Sequence, residues 1–124
     1  MRKQYNFWPS EHGFDAWDVD RLIELSAPLA AREVALSAIE DIDSDYWFSQ
    51  GQPPTVRGVV DHMRLVQEVD MSHPIILASD GRVMDGMHRV ARALLEGKQT
   101  IVAVQFDDQP EPDFRDCRPE DLPY

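Results

Sequence analysis

The sequence is poor in cysteine and in positive charge, and it contains no long hydrophobic run. Its single cysteine, Cys117, cannot form an internal disulfide and suits a reducing compartment, so a cytoplasmic protein is expected. No apolar run approaches the ~20 residues that a membrane-spanning helix needs. The basic start, Met1-Arg2-Lys3, has no apolar stretch behind it and is not read as a signal peptide. Only 12 Lys and Arg stand against 23 Asp and Glu, a formal charge of −11. Such a field repels nucleic-acid phosphates. The basic side chains gather only around Arg82, His88, Arg89, Arg92 and Lys98. That number suits a small polyphosphate and falls short of a duplex footprint, so direct DNA binding is not expected. What is present is 124 residues with 43% apolar content, enough for one domain with its own core.

The most informative stretch runs from Pro74 to Phe106. Ile75-Ile76-Leu77 is a short apolar strand, Asp80-Gly81 a tight turn, and Arg82-Val83-Met84 a second strand. The period then changes. Met87, Val90, Ala91, Leu94 and Leu95 fall on one face of a helix, which Gly97 ends. Ile101 to Phe106 returns as a strand. The predicted order is strand, turn, strand, helix, strand.

The start of that helix carries the candidate site. His88 and Arg89 lie in its first turn and Arg92 one turn further, where cations oppose the helix dipole by roughly 0.3–1 kcal/mol each. A bound anion would reverse that penalty and use the free N–H groups. Gly86 would let a ligand approach the backbone closely. The plainer alternative makes Asp85 the N-cap of the helix and leaves His88 and Arg89 solvated or paired with acids.

Around this stretch, residues 1–31 hold an aromatic segment (Tyr5, Phe7, Trp8, Phe14) and a helix predicted from Asp15, as its cap, to Ala27. Both are expected to pack on the core or on a second copy of the chain. Val34 to Leu36 reads as a strand. Glu40 to Asp45 is an acidic cluster without EF-hand spacing, read as a solvated loop, with Tyr46-Trp47-Phe48 after it as a packing anchor. A loop is expected over 49–54. Thr55 caps a predicted helix reaching Asp70, with Val56, Val59, Val60, Met63, Val66 and Val69 as its apolar stripe and Arg57–Asp61 and Arg64–Glu68 as supporting ion pairs. His62, beside the stripe, is read as structural. Residues 107–124, acidic and rich in proline, are predicted to be an irregular tail. No metal ligands can be assigned from spacing.

The sequence from Pro74-Ile75-Ile76-Leu77 through Asp80-Gly81 to Asp85-Gly86-Met87-His88-Arg89 resembles the ParB/sulfiredoxin superfamily. There a G-x-[HR]-R segment begins a helix and binds nucleotide phosphates. The resemblance extends upstream to an opening strand at Arg32–Ile39 and a helix at Thr55–Asp70, covering residues 32–106. It implies an α/β (α+β) fold: a small mixed sheet of short strands with packed helices, and 1–31 and 107–124 as additions. It also implies a nucleotide or phosphate ligand (ATP, ADP or CTP, with Mg²⁺) held by Gly86, Met87, His88, Arg89 and Arg92.

The residues discriminate among the activities of that group. Sulfiredoxin chemistry needs a cysteine where this chain has Met87. A partition protein would carry there a glutamate for magnesium and a DNA-reading domain downstream, and this chain shows neither. A nuclease is unsupported. The D-G-x-H-R form is closest to the free-serine kinases of the group. That match makes Asp85 a candidate base or metal-side carboxylate, with a second acid expected from the loop after the first strand; Asp43 and Asp45 are the candidates taken forward. Phosphoryl transfer asks mainly for positioning and charge neutralisation. The expected function is therefore a nucleotide-binding regulatory module, possessing the alternatives of a nucleotide-dependent phosphotransferase or NTPase, or of a protein-interaction domain. Homodimerisation is compatible with each.

Overall fold

The structure, a computed structural model, describes residues 3–48 and 53–124; of the loop expected over 49–54, residues 49–52 lie outside them. The chain is mixed α+β with short strands, as the sequence suggested. In order, it forms β1 (Tyr5–Pro9), β2 (Phe14–Asp18), α1 (Val19–Ser26), β3 (Arg32–Ala35), α2 (Val56–Glu68), β4 (Ile75–Leu77), β5 (Val83–Asp85), α3 (Met87–Leu95), β6 (Thr100–Gln105) and β7 (Phe114–Cys117). Single 3₁₀ turns follow β3 at Leu36–Ala38 and Glu40–Asp43, and another lies at Pro119–Asp121.

The main sheet has strand order β3-β6-β4-β5. β4 and β6 run parallel, and the other two pairings are antiparallel. The parallel pair exists because α3 carries the chain back across the sheet between β5 and β6, a crossover that parallel strands require. Alternation along the strands separates two cores. Ile75, Leu77, Val83, Ile101 and Ala103 face α3, meeting Val90 and Ala93. Ile76, Ala78, Met84, Val104 and Phe106 face the other way, meeting Trp17 of β2 and Leu22 of α1. Each fully buried aliphatic side chain contributes roughly 1.5–3 kcal/mol.

A second sheet, β1-β2-β7, lies outside the expectations. The aromatic segment packs as a β-hairpin, and its helix begins later than predicted. Asp15 sits inside β2, while Asp18 is the cap, its carboxylate accepting from Asp20 N at 2.9 Å. Trp17 belongs to the strand and donates from its indole to Pro110 O at 2.8 Å.

The irregular tail predicted for 107–124 is likewise corrected. Its prolines bracket the four residues Phe114–Cys117, which are free to pair with β2. Tyr5 ties the sheet together. It meets Phe114 and Tyr124 edge to face at 5.9 and 5.4 Å and donates from its hydroxyl to Pro123 O. Edge-to-face aromatic contacts and a partnered hydroxyl explain why so acidic a stretch is held in place.

Thr55 caps α2 as predicted, accepting from Gly58 N at 3.0 Å. The burial of α2 differs from expectation. Within the predicted stripe Val66 is buried, and Val56, Val59, Val60 and Met63 are exposed. Among the described residues, neither Arg57 with Asp61 nor Arg64 with Glu68 closes an ion pair.

Among the described residues, no helix is long and apolar enough to cross a membrane.

Candidate functional site

The helix start faces a cleft of 810 Å³ between the β1-β2 hairpin and the β5–α3 junction. A volume of this size lies within the range of small-molecule sites. Tyr5, Phe7, Trp8, Tyr46 and Trp47 line it as aromatics, and Asp85, Gly86, Met87 and His88 supply the helix end. Asp41 and Asp45 add carboxylates, and Lys3 and Arg82 add cations. The structure therefore brings together Asp85, Gly86, Met87, His88 and Asp45. It leaves Asp43, Arg89 and Arg92 off the cleft wall.

Gly86, not Asp85, is the N-cap of α3. It adopts a left-handed φ of 100°, and no described side chain caps the helix. The expected reason for this glycine needs revising. A Cβ at Gly86 would lie 2.7 Å from a terminal nitrogen of Arg89 and 2.8 Å from Ile75 Cγ2. The guanidinium of Arg89 and the Ile75 side chain fill the space where a side chain at this position would lie.

Arg89 folds back beneath the junction, with its side chain only 12% exposed. One terminal nitrogen donates to Asp85 Oδ2 at 3.1 Å and to Pro74 O at 3.3 Å. Its Nε is buried without a partner among the described residues. Asp85 and Arg89 thus form an i,i+4 pair at the strand–helix corner. Asp85 is engaged as a counter-ion, which takes over the structural role that capping was expected to provide.

Arg92 also works internally. It donates to Val66 O at 3.3 Å and Gln67 O at 2.7 Å, the free carbonyls at the C-terminal end of α2, and pairs with Glu96. It clamps α2 onto α3 and does not reach the cleft. Asp43 ends the second 3₁₀ turn away from the site. Its neighbour Asp41 instead accepts from Val83 N at 2.7 Å, tying the acidic turn to β5.

His88 meets His62 of α2, with Nε2 2.8 Å from the Nδ1 of His62. Their rings are within 19° of parallel and their centroids are 5.1 Å apart. That separation is a hydrogen bond plus two ring radii, so the imidazoles lie side by side in one layer. The indole of Trp47 covers both, 4.4 Å from His62 and 4.9 Å from His88, within 14° of parallel. Burial, then the neighbouring His62, holds His88 down to about 4. Burial also lowers His62. Near pH 7 the pair is neutral and shares one N–H···N bond. His88 can donate or accept a hydrogen bond at this helix start, but it brings no charge of its own.

Tyr46 anchors the wall from behind. Its hydroxyl donates to Val83 O at 2.7 Å and accepts from Asn6 Nδ2 at 3.1 Å, and burial pushes its pKa upward. Asn6 is buried, and its Oδ1 has no partner among the described residues. Arg82 lies over the Trp8 ring, 3.3 Å from its centroid, and pairs with Asp80. Lys3 pairs with Asp18 at 2.7 Å.

Sequence reasoning missed Asn6, Trp8, Trp47 and His62 as neighbours of the site and placed Arg82 there only as part of the basic cluster. The triplet Tyr46-Trp47-Phe48 carried the available signal, since three adjacent aromatics beside an acidic turn must cover something. No family model matches the chain, and no curated protein or solved structure is significantly similar to it.

Among the described residues, no three carboxylate, imidazole or thiol side chains gather into a metal cage. The cleft offers instead an uncapped helix end, two accessible acids in Asp45 and Asp85, and an aromatic wall.

Proposed function

We propose that this chain is a small nucleotide-binding domain of ParB/sulfiredoxin type that takes a magnesium–nucleotide complex in the cleft at the Gly86 helix start. The observation that carries the reading is the start of α3, uncapped by any described side chain and facing an aromatic-walled cleft. Its N–H groups suit phosphate oxygens, and the indole of Trp47 in the cleft wall suits a planar base.

The charge of the site narrows the ligand. Lys3, Arg82 and Arg89 each already have an acid partner, so a bare polyphosphate would meet no free cation from these three. A nucleotide that arrives with Mg²⁺ removes the conflict, because Mg²⁺ is held by one or two carboxylates plus phosphate oxygens. Asp85 and Asp45 would supply those carboxylates, and ATP, ADP and CTP are the candidates. Binding ranks above phosphotransfer because Asp85 is paired with Arg89, which occupies its carboxylate.

Thermal unfolding against ATP, ADP, CTP and GTP, with and without Mg²⁺, tests the reading. One nucleotide should raise the midpoint by several degrees only when Mg²⁺ is present; saturation at 100 times Kd corresponds to about 2.7 kcal/mol. In Asp85→Asn the Mg²⁺-dependent shift should shrink, since one of the two carboxylates that would hold the ion is lost. No shift with any nucleotide at millimolar concentration would sink the proposal. Turnover that vanishes in Asp85→Asn would favour the phosphotransferase or NTPase alternative.

A further inference from the structure

The outer face of α2 is the least satisfied surface of the fold. Val56 is 83% exposed and Met63 55%, and Val59 and Val60 are exposed with them. On one flank this face opens into an apolar groove of 310 Å³, floored by Val66 and Ala91 and walled by Trp47 and Leu95. Contiguous exposed apolar surface of this kind marks an interaction site.

The other flank shows what covers it. Arg57, Asp61, Arg64 and Glu68 follow one another at spacings of four, three and four residues, so they form a single stripe along the helix. None of the four has an ion-pair or hydrogen-bond partner among the described residues. In a chain of formal charge −11, this helix carries two arginines and two acids apart from His62, and balances.

The order of those charges is also self-complementary. Arg57 and Glu68 lie equally far from the midpoint between His62 and Met63, as do Asp61 and Arg64. A two-fold axis at that midpoint sets a second α2 antiparallel to the first. Arg57 then comes level with Glu68 of the second copy, and Asp61 with its Arg64. In such a pairing the same flank of each helix meets, so all four charges find opposite partners twice over. Val56, Val60 and Met63 form the seam between them.

We infer that α2 is the face through which two copies of this chain associate, as an antiparallel, two-fold symmetric helix pair. A two-fold interface must be complementary to itself, and the charge stripe of α2 meets that requirement. A partner of unrelated sequence would place no such condition on the order of the charges. The aromatic N-terminal segment, the other candidate for this purpose, is consumed by the β1-β2-β7 sheet.

Charge swapping tests the inference without relying on loss of association alone. Sedimentation equilibrium at micromolar concentration should give twice the chain mass for the wild type. Arg57→Glu/Arg64→Glu makes the whole stripe acidic, and Asp61→Lys/Glu68→Lys makes it basic. Each variant alone should associate about tenfold more weakly or worse, with a wild-type unfolding midpoint measured under monomeric conditions. An equimolar mixture of the two should recover a one-to-one dimer. A monomeric wild type overturns the inference, as do variants that remain dimers on their own. A mixture that stays monomeric overturns the antiparallel pairing, because misfolded or merely weakened chains would not regain partners by being mixed.

Discussion

Helices α2 and α3 look alike in sequence and are used in opposite ways. Both carry an apolar stripe at helical spacing, and they pack side by side. Val90 and Ala93 of α3 are sealed against the main sheet, and the helix leaves the sheet through a corner with a left-handed glycine and a buried ion pair. α2 buries Val66 and leaves most of its apolar residues in water. Its attachment to α3 includes two arginine hydrogen bonds at its C-terminal end and the paired imidazoles further up. Amphipathic spacing thus says that a helix has something to cover, and not what covers it. α3 finds its partner within the chain; the geometry of α2 points outside it.

The largest test of this contrast is the corner of α3. Gly86→Ala forces a side chain into a left-handed conformation and against the Arg89 guanidinium and Ile75, so denaturant unfolding should show a loss of about 2–4 kcal/mol. A loss below ~1 kcal/mol would mean that the corner is loosely held.

Next, the same chemical change should separate the two helices. Val90→Ala removes a fully buried side chain and should cost about 2–3 kcal/mol. Val60→Ala, on α2, should fall within about 0.5 kcal/mol when measured on the monomer. Equal effects would erase the distinction.

The smallest effect sits where the helices meet. His88 and His62 have folded-state pKa values below the ordinary 6.5, His88 at about 4. Between these limits the unfolded chain binds more protons than the folded one, so stability rises with pH. The contribution of His88 should be complete above about pH 6.5 and disappear as pH falls toward 4. Carboxylates titrate in part of the same window. The measurement is therefore the difference in slope between wild type and His88→Gln across that range. Identical slopes would mean that the imidazole layer is open to water.

Much of the fold was legible where local signals agreed. In Pro74–Phe106 the change from strand to helix period, the Asp80-Gly81 turn and the stop at Gly97 all favour one arrangement, and the strands and helix lie where those signals put them. The β1-β2-β7 sheet was not legible. Tyr5 gains its meaning from Phe114 and Tyr124, more than a hundred residues on, and composition alone made 107–124 look irregular. At the candidate site, Gly86, Met87 and His88 line the cleft, as position on the helix suggests. It could not show that Arg89 turns back toward Asp85, although the four-residue spacing of that pair was a hint. Arg92 was misread for a similar reason: the carbonyls it holds belong to another helix.

The join between β2 and β7 has a consequence in time. Phe14 and Cys117 meet across 103 residues of chain, whereas the strands and helix of Pro74–Phe106 close over short loops. Long loops are costly to close before their contacts form. The local unit should therefore assemble first and the β1-β2-β7 sheet last. The hairpin that walls the cleft comes from that late sheet, so the site takes shape near the end of folding. Weakening its aromatic contacts should hasten unfolding while leaving the folding rate nearly unchanged.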